Sequence, residues 1–199
     1  MLLARQLAAA GHEPIGLIRN PEHEDELLAV GATPVVLDLE QSTLQDVADV
    51  LVGADAAVFA AGSGAGSGND RKFSLDRDGA ILLADAALEA GVTRLIVISS
   101  VGADSYDATS EDPFQVHLRA KGEADAAVRE RDLDWTIVRP VSLTDEPGTG
   151  AISLGVTGGT IARADVAAVV VELLSGLGVR KVFEVSAGEL GVAEALRGL

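Results

Sequence analysis

The chain has 199 residues, 48% of them hydrophobic but only 3% aromatic, with no cysteine and a formal net charge of −16. That length suits one domain, 1–199, whose core is built from Ala, Val, Leu and Ile, as in parallel sheets flanked by small-residue helices. The absence of cysteine excludes disulfides, thiolate catalysis and Cys-ligated metals, and 31 acids against 15 bases make a surface that repels nucleic acid and anionic membranes.

In chain order, residues 2–10 (LLARQLAAA) read as a helix ended by Gly11, and 15–19 (IGLIR) as a buried strand. Asn20-Pro21 opens a helix near 22–30, with Pro at the first helical position, and Gly31 stops it. Strands follow at 34–39 (PVVLDL) and 55–60 (DAAVFA), separated by a helix near 43–52. A long helical stretch, 72–90, ends at Gly91 and leads to the strand 94–99 (RLIVIS). A helix near 113–131, a strand at 135–139 (WTIVR), a helix near 164–175 and a strand at 181–186 (KVFEVS) complete the series. Asp165 sits where an acid favours a helix N-terminal dipole. Between them, 147–159 (PGTGAISLGVTGG) reads as a loop within a 140–160 cofactor or substrate region. Alternation at this spacing predicts an α/β fold, a doubly wound parallel sheet with helices on both faces.

No strand and no G-x-x-G-x-x-G turn stands ahead of the first helix, so the chain reads as a dinucleotide-binding βαβ unit entered at that helix. GSGAGSG (62–68) follows a strand and precedes a helix, but the dinucleotide spacing places Gly at 67 or 69, where Ser67 and Asn69 stand. It reads either as a phosphate loop of unusual spacing or as a flexible turn beside a ligand, where glycine allows close backbone approach. Arg19, at the end of IGLIR, occupies the place of a ribose-reading side chain. An arginine there suits a 2′-phosphate and favours NADP(H) over NAD(H), unless it is an ordinary surface residue.

Six motifs occur in order over nearly the whole chain: AGHEPIGLIRNPE (10–22), VVLDLE (35–40), DAAVFAAG (55–62), GVTRLIVISSVGAD (91–104), HLRAKGEADAAVRERDLDWTIVRPVSLTDEPGTG (117–150) and IARADVAAVVVELL (161–174). The series resembles the atypical short-chain dehydrogenase/reductases, in particular their NAD(P)H-binding, NmrA-like and epimerase-like group. The resemblance implies a Rossmann-like fold and a nicotinamide dinucleotide, with no metal. Asp38 and Leu39 would flank the adenine, and Ala60, Ala61 and Gly62 would lie against the cofactor. Pro140, Val141, Ser142 and Leu143 would shape the nicotinamide pocket.

Catalysis in that family uses Ser, Tyr and Lys. By the resemblance Ser100, with Ser99 beside it, takes the serine's place, and Lys121 takes that of the lysine that holds the ribose. His117 stands where the tyrosine would be, four residues before Lys121 on one helix face. Imidazole titrates near neutrality and can move a proton, although a nearby ammonium favours its neutral form. His117 therefore reads either as a substitute acid or as a surface histidine of a non-catalytic relative. Tyr106, the chain's one tyrosine, lies in the preceding loop. Lys121 and Arg139 each also admit a purely structural ion pair.

Without a strand between them, 15–19 and 55–60 would present unpaired ladder edges unless they pair directly or another chain fills the gap. The expectation at this point is an N-terminal truncation, with a start misplaced at Met1. Three functional readings remain: an oxidoreductase or epimerase-like enzyme on a small substrate, a cofactor-binding sensor without turnover, and a cofactor-incompetent fragment. The longest apolar run, 166–174, is broken by Glu172, and no basic region precedes an apolar one at the N-terminus, so a cytoplasmic protein is expected. The acidity fits simple solubility or a salt-rich cytoplasm, as in a halophile, where salt screens the repulsion. An oligomer is compatible with the sequence, which identifies no face for one.

Overall fold

Strand and helix alternate from the first residues, as the hydrophobic periodicity requires. A computed structural model describes residues 1–64 and 66–199; Ala65, inside the GSGAGSG stretch, lies outside the described residues. The elements run α1 (Leu2–Ala9), β1 (Ile15–Ile18), α2 (Glu24–Ala29), β2 (Thr33–Val36), α3 (Leu44–Leu51), β3 (Ala56–Phe59), α4 (Asn69–Arg71), a π-helical turn (Lys72–Arg77), α5 (Asp78–Glu89) and β4 (Arg94–Ile98). They continue with α6 (Pro113–Arg129), β5 (Asp134–Pro140), β6 (Ser142–Thr144), β7 (Ala151–Leu154), β8 (Thr160–Ala162), α7 (Arg163–Leu173), β9 (Lys181–Ala187), β10 (Leu190–Gly191) and α8 (Val192–Leu196).

Boundary chemistry works largely as the residues suggest. The Asn20 side chain accepts from Glu22 N where Pro21 opens a 3-10 turn ahead of α2. Thr43 and Asp46 close a reciprocal capping box on α3. Gly31 and Gly91, with φ of +82° and +75°, take the left-handed conformation that stops α2 and α5. Asp165 does more than favour a dipole: its carboxylate accepts from the backbone N–H of Thr149 and Gly150 and so anchors the preceding loop.

The main sheet has the order β10-β7-β9-β5-β4-β3, and β3, β4, β5 and β9 are parallel. To this parallel set the chain adds an edge that the loop reading of 147–159 did not anticipate. β7 runs antiparallel to β9, and β10 antiparallel to β7. Only Ile152 of β7 is fully buried, so a single apolar side chain among glycines left little periodic signal.

β1 and β2 form their own two-stranded parallel sheet. β1 does not pair with β3, and the outer edge of β3 carries no ladder partner among the described residues. The direct pairing of these two strands, one of the alternatives the sequence left open, is therefore not formed among the described residues.

Strand parity divides the core. Leu95, Val97 and Ile137 face α3, α5 and α6, joining Val47, Leu83 and Val128. Ile96 and Val138 face the opposite side, joining Val166, Val170 and Leu173 of α7 and Leu196 of α8. Leu3 of α1 packs on this second side, and Gln6 Nε2 donates to Ala164 O at 2.9 Å. No helix among the described residues is long and apolar enough to cross a membrane.

Candidate active site

Three parallel neighbours, β3, β4 and β5, end on one side of the sheet, the side where open α/β sheets receive ligands. Phe59 is level with Val97 and Ile98 with Val138, so Ala60–Gly62, Ser99–Ser100 and Pro140–Leu143 leave the sheet together. Val101 N donates to Pro140 O at 3.1 Å and holds the two turns in register. A cleft of about 370 Å³ opens here, lined by Ala60, Ile98 and Leu143, the first residues of α1 and one face of α7. Pro140 and Val141 are buried, whereas Ser142 and Leu143 are exposed and pair with β8.

Helix α6 delivers the titratable groups. Asp112 caps it, accepting from Phe114 N and Gln115 N, and Pro113 fills the first position. His117 and Lys121 then share a face, as the i, i+4 spacing requires. Lys121 is 5% exposed. Its ammonium donates to Ile98 O at 3.1 Å and lies 5.3 Å from the centre of the Phe59 ring. Burial pulls its pKa below the ordinary lysine value, against the opposing attraction of Asp76. His117 Nδ1 is 3.9 Å from Asp76 Oδ1, and its ring stacks on Phe114. Burial also lowers His117; Asp76 raises it, and Lys121 and Lys72 push it down further.

Asp76 is the acid that sequence reasoning missed. It is 1% exposed and sits in the π-helical turn. Its Oδ1 lies 3.4 Å from Lys121 Nζ, and its Oδ2 accepts from Ser63 N at 3.1 Å. The alternative that Lys121 pairs with an acid is therefore realised, and the acid belongs to another helix. A signal was present: Asp76 heads the stripe Asp76, Ala80, Leu83, Ala87 and so takes a core position in an otherwise apolar pattern.

The two serines part company. Ser99 is buried, and its Oγ donates to Asp125 Oδ2 at 2.9 Å. Asp125 also receives Arg139, whose guanidinium reaches Asp104 at 2.7 Å. Ser99 and Arg139 thus belong to one buried polar network that fastens β4, β5 and α6. Burial raises the Asp125 carboxyl above the ordinary value, with Ser99 and Arg139 opposing. Ser100, half-buried on the other strand face, donates only to the neighbouring Val101 O. Tyr106 packs against Gly122 of α6.

At the far end of the site, Arg19 leaves β1 with its side chain 56% exposed, and its Nη1 lies 3.5 Å from Glu40 Oε2. Glu40 also receives Arg71 Nε at 2.9 Å and the Ser74 hydroxyl at 2.6 Å. The Ser74 hydrogen bond, then Arg71 and Arg19, hold the Glu40 carboxyl below its ordinary value against burial. Leu39 packs on the core, and Asp38 Oδ1 accepts from Glu40 N, which closes the turn after β2. The glycine-rich segment is fastened by side chains: Arg71 donates to Ser63 O and Lys72 to Ser67 O.

This donor set fits a dinucleotide. Two guanidiniums around one carboxylate leave an excess positive charge for phosphate at one end. At the other end, an ammonium and an imidazole lie on the α6 side of the sheet, while the apolar cleft is lined from α1 and α7. Groups of these kinds can anchor an anion and move a proton. Among the described residues no cluster of His and acidic side chains could hold a metal ion.

Residues 1–176 match the model of the NAD(P)H-binding family. YhfK of Bacillus subtilis, described as an uncharacterized sugar epimerase, is 35% identical over 193 residues, covering 94% of this chain and 88% of that protein. A solved structure from Bacillus halodurans, described as a candidate NAD-dependent epimerase/dehydratase, is 35% identical with a TM-score of 0.90, covering 100% and 93% of the two chains. The structure of the oxidoreductase ylbE from Lactococcus lactis is 27% identical with a TM-score of 0.85, covering 100% and 90%.

Proposed function

The chain belongs to the NAD(P)H-binding family, and from that premise we propose that it is a cytoplasmic, single-domain NADP(H)-dependent oxidoreductase or epimerase-like enzyme acting on a small substrate. The observation that carries this reading is the pairing of His117 with Lys121 beside the ends of β3 and β4. A bound nicotinamide dinucleotide supplies the hydride chemistry. The chain's own residues bind, orient and handle the proton. His117 gives a proton to a substrate oxygen in reduction and takes it back in oxidation. The ammonium of Lys121 favours the neutral imidazole that oxidation needs, and it is the group for the nicotinamide ribose. Ser100 orients the substrate oxygen, while Pro140, Val141 and Leu143 wall the pocket.

Arg19 serves a 2′-phosphate, with Arg71 beside it, while Asp38 and Leu39 flank the adenine and Ala60–Gly62 back the cofactor. The test is NADPH oxidation by the purified protein against a panel of carbonyl, quinone and flavin acceptors. Turnover that falls at least about tenfold in His117→Ala supports the assignment; turnover indifferent to that change contradicts it.

One observation favours a second reading, a cofactor-binding sensor without turnover. Lys121 is 5% exposed and already engaged by Ile98 O and Asp76. Saturable NADPH binding with no oxidation by any acceptor class decides for the sensor. The formal charge of −16 supports a salt-rich cytoplasm. In that case molar KCl raises the thermal midpoint by screening self-repulsion, and a midpoint independent of KCl contradicts it.

A further inference from the structure

Asp76 is more than a partner for one lysine. The π-helical turn Lys72–Arg77 carries its carboxylate into the angle between the loop after β3 and the inner face of α6. Such turns widen a helix locally and recur at functional sites. One carboxylate oxygen, Oδ2, is committed to the backbone N–H of Ser63 in the glycine-rich segment. The other, Oδ1, completes no hydrogen bond although it is buried. It points between two bases, 3.4 Å from Lys121 Nζ and 3.9 Å from His117 Nδ1. A carboxylate this deeply buried needs counter-charge, which the Lys121 ammonium supplies, with the His117 imidazole beside it.

We propose that Asp76 is the positioning residue of the His117–Lys121 pair: its carboxylate is the counter-charge the two bases share, and it ties them to the glycine-rich segment through Ser63. This inference rests on the reading of His117 and Lys121 as the proton-handling pair. The groups that face His117 are Asp76 and Lys72 from the π-helical turn and Lys121 from its own helix. Asp76 is the one anion among them, opposed by two cations and by burial. It therefore lets His117 carry a proton in a place that otherwise discharges it. The link to Ser63 places the same carboxylate under the segment that leads away from Ala60–Gly62.

The test needs no turnover. In isotopically labelled protein, the imidazole C–H signals of His117, His12 and His23 are titrated by NMR, with the exposed His12 and His23 as internal references. Asp76→Asn keeps an oxygen for Ser63 and removes the charge. It is expected to lower the His117 midpoint by roughly one pH unit. A midpoint unchanged in Asp76→Asn overturns the proposal. Should that variant fail to fold, Asp76→Ser gives the same reading, since it too removes the charge; a midpoint unchanged there overturns the proposal equally. If the wild-type protein turns over no acceptor, the enzymatic reading fails while these titrations still judge Asp76.

Discussion

Ser99 Oγ donates to Asp125 Oδ2 at 2.9 Å, across the interface between β4 and α6. That bond separates two adjacent serines into different roles. Ser99→Ala leaves a buried carboxylate with one donor fewer, and its expected cost is about 1–2 kcal/mol of unfolding free energy. Ser100→Ala is expected to cost under about 0.5 kcal/mol, because its hydroxyl serves only a neighbouring carbonyl. On the proposed reading its effect is expected on turnover instead. Urea unfolding and an NADPH-oxidation assay of both variants check the division; equal stability losses would contradict it.

A second expectation concerns acid. Burial, reinforced by Lys121 and Lys72 and opposed by Asp76, holds His117 below its ordinary value of 6.5. Between the folded value and 6.5 the unfolded chain binds more protons, so stability rises with pH through that window and is lost on acidification. His117→Gln removes this contribution. Urea unfolding at pH 7.5 and at pH 5.5 should show a smaller loss in the variant than in the wild type.

Gly122 illustrates how closely the site is built. A Cβ there would lie 2.0 Å from Ala103 O and 2.9 Å from the Tyr106 ring. The glycine thus lets α6 press against the turn that follows Ser99 and Ser100. Gly122→Ala forces backbone apart, with an expected loss of about 3 kcal/mol in urea unfolding. A stability equal to wild type would show that the turn yields easily.

The legible part of this protein is what repeats. Strand and helix alternation could be read because each element carries several apolar residues at a fixed period, as Leu95, Ile96 and Val97 do in β4. Gly31 and Gly91 could be read because a left-handed stop favours glycine. The β7–β10 edge escaped because Ile152 is its one fully buried side chain.

Within the site, His117 and Lys121 were singled out by the family resemblance, and their spacing put them on one helix face. Asp76 left a single local trace, an acid at the head of an apolar stripe, and its contacts lie with residues 41 and 45 positions away. Strand parity does distinguish Ser99 from Ser100: Ser99 follows Leu95 and Val97 to the helix face, and Ser100 follows Ile96 and Ile98 to the other. Glu40 was invisible, because its meaning depends on Arg19, Arg71 and Ser74 meeting it in space.

The account stands most directly on how the cofactor is gripped. Trp135 is buried near the N-terminal end of β5, away from the cleft, so heat is a better signal than tryptophan emission. The decisive measurement is a calorimetric titration of the wild type and Arg19→Ala with NADPH and with NADH. The account predicts saturable binding with NADPH preferred, and a loss of about tenfold for NADPH alone in Arg19→Ala, as expected when one charge-assisted phosphate contact is removed. Equal affinities for the two cofactors, or no binding to the folded protein, would contradict it.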